Sequence, residues 1–154
     1  MSTPFVFTKA TSPEGLVPIR QVSGVCFDDT GRILLLRQLH EPGKQWNIPG
    51  GHPEEGETWE EVLKREVYEE TTVVIGACAM IGYQAPIDPK NEPYYQLRYA
   101  ARVERIDPPA IDPAKGVIHE RLFVEPERVM EYIVFPQYRE MFAAAVEWFQ
   151  QTAR

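Results

Sequence analysis

The chain has no apolar run approaching the ~20 residues a membrane-spanning helix requires. Residues 1–10 hold no apolar stretch of the signal-peptide kind. Both absences point to a cytoplasmic protein without a membrane partner. Basic residues are in the minority, 16 Lys and Arg against 23 Asp and Glu, giving a net charge of −7. Binding to a nucleic acid polymer draws on a basic surface that releases counterions, so that class of partner is set aside. A small phosphorylated ligand is not excluded, because a metal ion can bridge carboxylates to phosphates. Cysteine is scarce: Cys26 and Cys78 stand alone, with no CxxC pair and no neighbouring histidine. That argues against thiolate-bound zinc, thiol catalysis and a disulfide scaffold, and for two thiols in apolar strands.

What is present fits one domain over residues 1–154. Fourteen prolines imply many loops around a compact scaffold. Residues 1–18, with Pro4, Pro13, Gly15 and Pro18, are expected to be irregular. Strands are predicted over 19–27 and 33–37, joined by a hairpin turn at 28–31 whose Asp and Gly tolerate its dihedrals. A loop at 40–45 leads to a brief strand at 46–49. Further strands are predicted at 73–83, 94–103 and 119–124, separated by proline-rich loops at 86–93 and 106–115. Residues 126–132 read as a helical turn. Residues 136–152 read as a helix, with Tyr138, Met141, Phe142, Ala145, Trp148 and Phe149 at helical spacing. The clearest helix is 57–71, where Thr58 and Glu61 stand at capping-box spacing.

That helix is unusual. On a wheel with Trp59 at zero, Leu63, Val67 and Val62 fall at about 40°, 80° and 300°, and Glu69, Glu66 and Glu70 at about 280°, 340° and 20°. Three carboxylates thus share the arc of the apolar residues, whereas an amphipathic helix keeps its acids on the opposite face. A solvated acidic face is the ordinary reading of such residues, and the wheel disfavours it. Clustered acids repel and are costly to bury without a partner. Hard oxygen donors in a cluster suit Mg²⁺ or Mn²⁺.

The segment from Gly51 through Glu57, Arg65, Glu66, Val67, Glu69 and Glu70 to Val73 resembles the Nudix box. With each residue type used at about 6%, its six invariant letters recur by chance at on the order of 5 in 10⁸ starting positions. Thr72 stands where the box has Gly, which ordinarily ends the helix in a left-handed conformation; Thr carries a steric penalty there, so another shape is expected for this helix end. The lead-in Trp46 to Gly51, the strand–turn–strand entry and the stretch from Glu120 to Pro126 are similar to the family as well, so the resemblance spans roughly residues 20–150.

The resemblance implies an α/β/α sandwich with a mixed central sheet, a loop–helix–loop carrying the box, and a C-terminal helix. It implies a metal-dependent hydrolase that cuts a diphosphate linkage in a nucleoside diphosphate joined to another group. Glu69 and Glu70 become metal ligands, Glu66 a third ligand or the base, and Arg65 the residue that orients a glutamate. Glu57 lies at the edge of the site, and a carbonyl of Gly50 or Gly51 completes the shell. Glu120 matches a downstream glutamate that acts as base or extra ligand. Arg37 and Arg98 are candidates for substrate contact. Pro89, sixteen residues after Val73, resembles a proline of members that hydrolyse ADP-ribose. A homodimer stays open. The competing class is a binding module, a nucleotide sensor of the same fold without turnover; the full set of Arg65, Glu66, Glu69 and Glu70 speaks against it.

Overall fold

A computed structural model describes residues 5–38, 43, 45–87, 90 and 92–152. The strands are β1 (Phe5–Lys9), β2 (Ile19–Phe27), β3 (Ile33–Arg37), β4 (Gly50–Gly51), β5 (Val73–Pro86), β6 (Tyr95–Ile106) and β7 (Glu120–Val124). The helices are α1 (Trp59–Thr71) and α2 (Tyr138–Gln151), with a 3₁₀ turn at Pro126–Glu131. The sheet runs β1-β5-β6-β2-β3-β7, with β4 attached to β2. Only the β2–β6 pairing is parallel among the described ones, so the sheet is mixed.

Strand periodicity divides the core in two. Val25, Phe27, Ile33 and Leu35 point to one face, where Met141, Phe142 and Ala145 of α2 cover them. Val22, Cys26, Leu34, Leu97 and Ala101 point to the other, under Val62, Leu63 and Val67 of α1. Alternation along each strand produces this division, and each fully buried Val, Leu or Phe contributes about 1.5–3 kcal/mol of transfer free energy. The α/β/α layering expected from the sequence follows.

One irregularity creates the functional geometry. β2 and β3 are joined by a single residue pair, Phe27↔Ile33, beside the hairpin. Further along, β2 turns to β4, pairing Val22 with Gly51 and Ser23 with Gly50, while β3 stays with β7. The two strands splay, and the chain from Gln45 to Gly50 crosses the wedge between them, tied to β3 by reciprocal Leu36–Asn47 backbone bonds of 2.9 Å.

Three expectations are corrected. The segment 1–18 is not irregular throughout: Phe5–Lys9 is an edge strand, in register with β5 from Phe5↔Pro86 to Lys9↔Gly82. Its alternating Phe5, Phe7 pattern was masked by the surrounding prolines and glycine. The stretch 46–49 is not a strand: Asn47 makes a single antiparallel bridge to Leu36, and β4 begins at Gly50. Thr72 does not avoid the left-handed conformation but adopts it, at φ 55° and ψ 28°. Its N–H donates to Tyr68 O at 2.8 Å, and Arg121 Nη1 donates to Thr71 O, Thr72 Oγ1 and Asp107 O at 2.7–2.8 Å. That clamp holds a strained end that glycine would occupy freely. Residues 40–42 and 44 of the predicted loop, and Pro89, lie outside the described residues.

Candidate metal and phosphate site

The capping box forms as expected: Glu61 N–H donates to Thr58 Oγ1 at 3.1 Å and Thr58 N–H to Glu61 Oε1 at 2.8 Å. It fixes where α1 starts, and therefore which side chains reach the sheet's splayed edge. Arg65 then gathers the acids. Its Nε and Nη2 form a fork on Glu57, at 2.7 and 3.0 Å, and its Nη1 reaches Glu66 at 2.7 Å and Glu69 at 3.3 Å. Nη2 also donates to His52 O at 3.0 Å. A planar, permanently charged guanidinium is suited to several carboxylates at once, and these pairs hold the Glu57 carboxyl below its usual range.

Glu70 is held differently. It is only 8% exposed; Gly50 N–H donates to its Oε1 at 2.8 Å and Gln38 Nε2 to its Oε2 at 3.3 Å. Among the described residues no cation touches it. Burial pushes its carboxyl up to about 8, against the Gly50 hydrogen bond, and the charges of Glu66 and Asp112 push the same way. Burial also raises Glu66, opposed by Arg65. The two glycines permit this approach. A Cβ on Gly51 would stand 2.4 Å from the Glu66 carboxylate, and one on Gly50 would stand 2.2 Å from Ser23 Oγ.

The loop between β6 and β7 supplies a residue that sequence reasoning missed. Asp112 is buried and folds its own loop: Oδ1 accepts Ala114 N–H at 2.9 Å, and its carbonyl accepts Gly116 N–H at 2.8 Å. Its Oδ2 meets Nε2 of buried His119 at 2.8 Å. The fold brings it close enough to raise the proton affinity of both Glu66 and Glu70. The signal within the sequence was the Asp112-Pro-Ala-Lys-Gly116 turn motif, which marks a turn without telling where it lies.

Of these residues, Glu66, Glu70, Asp112 and the two glycines border a two-lobed cleft. An outer lobe of about 370 Å³ is bounded by Glu54, Glu66, Asp112 and Lys115. An inner lobe of about 190 Å³, in the wedge between β2 and β3, is lined by Ser23, Gln45, Asn47 and Tyr138. Gln21, Gln38, Gly50 and Glu70 border both lobes. Among the described residues no three His, Cys, Asp or Glu side chains converge at metal-binding distance as they stand, because Arg65 holds Glu66 and Glu69. The donor set nonetheless suits a hard divalent ion: clustered carboxylates, one of them buried against neutral partners, beside a glycine backbone.

Six sequence candidates line neither lobe: Glu57, Arg65 and Glu69, which are bonded together at α1, and Arg37, Glu120 and Arg98. Glu120 lies in the strand expected at 119–124: it opens β7 in register with Arg37, accepts Arg37 Nε at 3.0 Å, and does not border either lobe. Arg37 in turn lies over the Trp46 ring, 5.0 Å from its centroid. Arg98 is not available for direct substrate contact. It is 2% exposed, because β6 is an inner strand and α2 covers that face, with Tyr138 beside the guanidinium.

Fold and site together define a class: a mixed sheet between two helices, with a carboxylate-bearing helix entered through a Gly-Gly strand end. The family model for the NUDIX domain matches residues 17–145, and the chain belongs to that family. Phosphatase NudJ of Escherichia coli is 31% identical over 78 residues, 51% of each chain, so the chain matches about half the length of the curated relatives. Among solved structures, a Bacillus subtilis pyrophosphohydrolase, BsRppH, superposes with a TM-score of 0.69 over 96% of this chain and 92% of its own, at 15% identity. A MutT protein of Bacillus halodurans gives 0.64 over 82% and 81%, at 20% identity. At these identities the likeness is one of fold. No described helix is long and apolar enough to cross a membrane.

Proposed function

We propose that this chain hydrolyses a phosphoanhydride bond in a nucleoside diphosphate linked to another group, with Mg²⁺ or Mn²⁺ as cofactor. The observation that carries the reading is Glu70: a buried carboxylate at the junction of two lobes, beside Glu66 and Asp112, without a protein cation among the described residues. Family membership and the pyrophosphohydrolase among the fold neighbours support it. Glu66, Glu69 and Glu70, with a Gly50 or Gly51 carbonyl, would hold the ion, and Glu57 would reach a second one through water. When bound, the ion neutralises diphosphate oxygens and acidifies water at the site.

The rest is done by the chain. Arg65, forked on Glu57, holds Glu66 beside the cleft and fixes Glu69 next to it on α1. Gly50 N–H fixes the Glu70 carboxylate. Lys115 offers a positive charge to the diphosphate at the outer rim. Asp112, steadied by His119 and Ala114 N–H, takes the base role that the resemblance left open between Glu66 and Glu120, and accepts the proton of the attacking water. The amide-rich inner lobe accommodates the group attached to the diphosphate.

The test is release of phosphate or nucleotide by the whole chain from ADP-ribose, nucleotide sugars, oxidised nucleoside triphosphates and dinucleoside polyphosphates. Turnover that needs Mg²⁺ or Mn²⁺ and stops with chelator is the expected result. Tight nucleotide binding without turnover on any of them would favour a sensor instead.

A further inference from the structure

The mechanism above leaves one buried cation unused. Arg98 lies under the inner lobe, and its guanidinium is held by three side-chain amide oxygens. Nε donates to Gln84 Oε1 at 2.9 Å, Nη1 to Gln21 Oε1 at 2.8 Å, and Nη2 to Gln96 Oε1 at 2.9 Å. Those partners come from β5, β2 and β6. Tyr138 of α2 closes the remaining side, its ring centroid 5.7 Å from the guanidinium carbon. Among the described residues no carboxylate pairs with Arg98, and Tyr138 is the only titratable group that offsets its charge. A buried charge without a counter-charge is costly, and such groups gather at functional sites.

The donor chemistry dictates which way the amides face. A guanidinium has five N–H donors and no acceptor, so every glutamine that meets it presents Oε1 and turns its NH₂ away. For Gln84 the NH₂ goes to Gln137 O, at 3.4 Å. Gln21 differs: it borders both lobes, and its Nε2 has no acceptor among the described residues. Arg98 therefore converts an amide that reads either polarity into a fixed donor facing the cleft, backed by a positive charge. Ser23 and Tyr138, which carry hydroxyl groups, line the same lobe.

We propose that Arg98 is a positioning residue that turns Gln21 donor-first into the inner lobe and makes that lobe a subsite for an anionic oxygen group of phosphate chemistry, carried on the part of the substrate beyond the hydrolysed diphosphate. This deepens the hydrolase reading of the same cleft and rests on it. Within a chain of net charge −7, it supplies attraction where Glu66 and Glu70 supply repulsion. It also favours substrates with a further phosphoryl group over those that end in a neutral sugar.

The experiment is an NMR titration of the full chain with inorganic phosphate, and with adenosine as the neutral control, in Mg²⁺ and again in chelator. The Gln21 side-chain NH₂ signal is followed throughout. Phosphate should move that signal under both conditions and adenosine should not. Arg98→Met and Gln21→Leu should each weaken phosphate binding on the order of 10-fold, the scale of a hydrogen bond to a charged group. If Arg98→Met fails to fold, Gln21→Leu at a partly exposed position decides alone. A Gln21 signal indifferent to phosphate overturns the proposal. So does phosphate binding that appears only with Mg²⁺ and is unchanged in Gln21→Leu, since the anion is then on the metal alone. A purely structural Arg98 would lower the melting temperature of its variant while Gln21→Leu kept full phosphate affinity, which also overturns it. Turnover is read separately: an inactive protein whose Gln21 signal still answers phosphate supports the subsite and sinks only the hydrolase reading.

Discussion

Glu70→Gln should make the metal-free protein more stable while removing its response to metal. In the folded chain the Glu70 carboxyl is pushed up to about 8 from an ordinary 4.5, first by burial and then by Glu66 and Asp112. Between those two values the folded state holds a proton that the unfolded chain has released. Stability is therefore lost as pH rises through the window from about 4.5 to about 8. Each tenfold change in proton affinity is worth 1.36 kcal/mol, giving a ceiling of roughly 5 kcal/mol. Relaxation and water entry reduce such figures, and about 2 kcal/mol is the working value at pH 8.5. Glutamine keeps the Gly50 N–H acceptor and carries no charge, so the variant should melt about 4–8 °C above the parent in chelator at pH 8.5, with a small difference at pH 5. Saturating Mg²⁺ should raise the parent by RT ln(1 + [L]/Kd), about 2.7 kcal/mol at a hundred times Kd, and leave the variant nearly unmoved. Melting curves at pH 5 and 8.5, with Mg²⁺ and with chelator, supply all the numbers. Equal melting temperatures in chelator at both pH values, or equal gains from Mg²⁺, would refute the argument that Glu70 is a buried charge awaiting an ion.

Asp112→Asn should lower kcat by about 10²–10⁴-fold, the range for a lost general base, while Glu120→Gln leaves kcat unchanged; the reverse order in steady-state assays would return the base role to Glu120. Thr72→Gly should change stability by less than about 1 kcal/mol, because relief of the left-handed strain is offset by loss of the Thr72 hydroxyl bond to Arg121, and turnover should not change. Arg121→Leu removes donors from Thr71 O, Thr72 Oγ1 and Asp107 O together and should cost about 2–3 kcal/mol in a denaturant melt; a cost below that of Thr72→Gly would show that the clamp does not hold the helix end.

Legibility followed the range of the interactions. α1 could be read almost to the residue, because its capping box, apolar stripe and acids are local patterns of period 3.6. The main strands were read within a few residues for the same reason. The Nudix box singled out Glu66, Glu69 and Glu70 as candidates, since the spacing of side chains on one helix is itself a local property. What could not be read depends on contacts between distant segments. Glu120 looked like a site acid because nothing in its neighbourhood announces Arg37, 83 positions away. Asp112 looked like a turn residue because the turn motif carries no address. Arg98 sat on the correct face of β6, but only the packing of α2 over that face decides whether it meets substrate or is covered by Tyr138. Thr72 was misjudged because the propensity argument weighed strain without the cross-chain clamp that offsets it.

Among the acids of this chain, the partner decides the role. Glu57 is neutralised by the Arg65 fork, Glu120 by Arg37, and Asp107 by Arg105, whose guanidinium holds it down to about 2. Each has a protein cation that compensates its charge. Glu66 and Glu69 share the remaining Arg65 nitrogen, a partial compensation that a divalent ion can complete or replace. Glu70 has an N–H and an amide but, among the described residues, no cation. The cleft therefore has one wall short of positive charge, along α1, and one with positive charge to spare, at Arg98. On the proposed reading, a metal ion would supply what the first lacks and a phosphorylated substrate what the second lacks. The diphosphate would, on that same reading, be held between the two walls, where Gln21, Gly50 and Glu70 border both lobes.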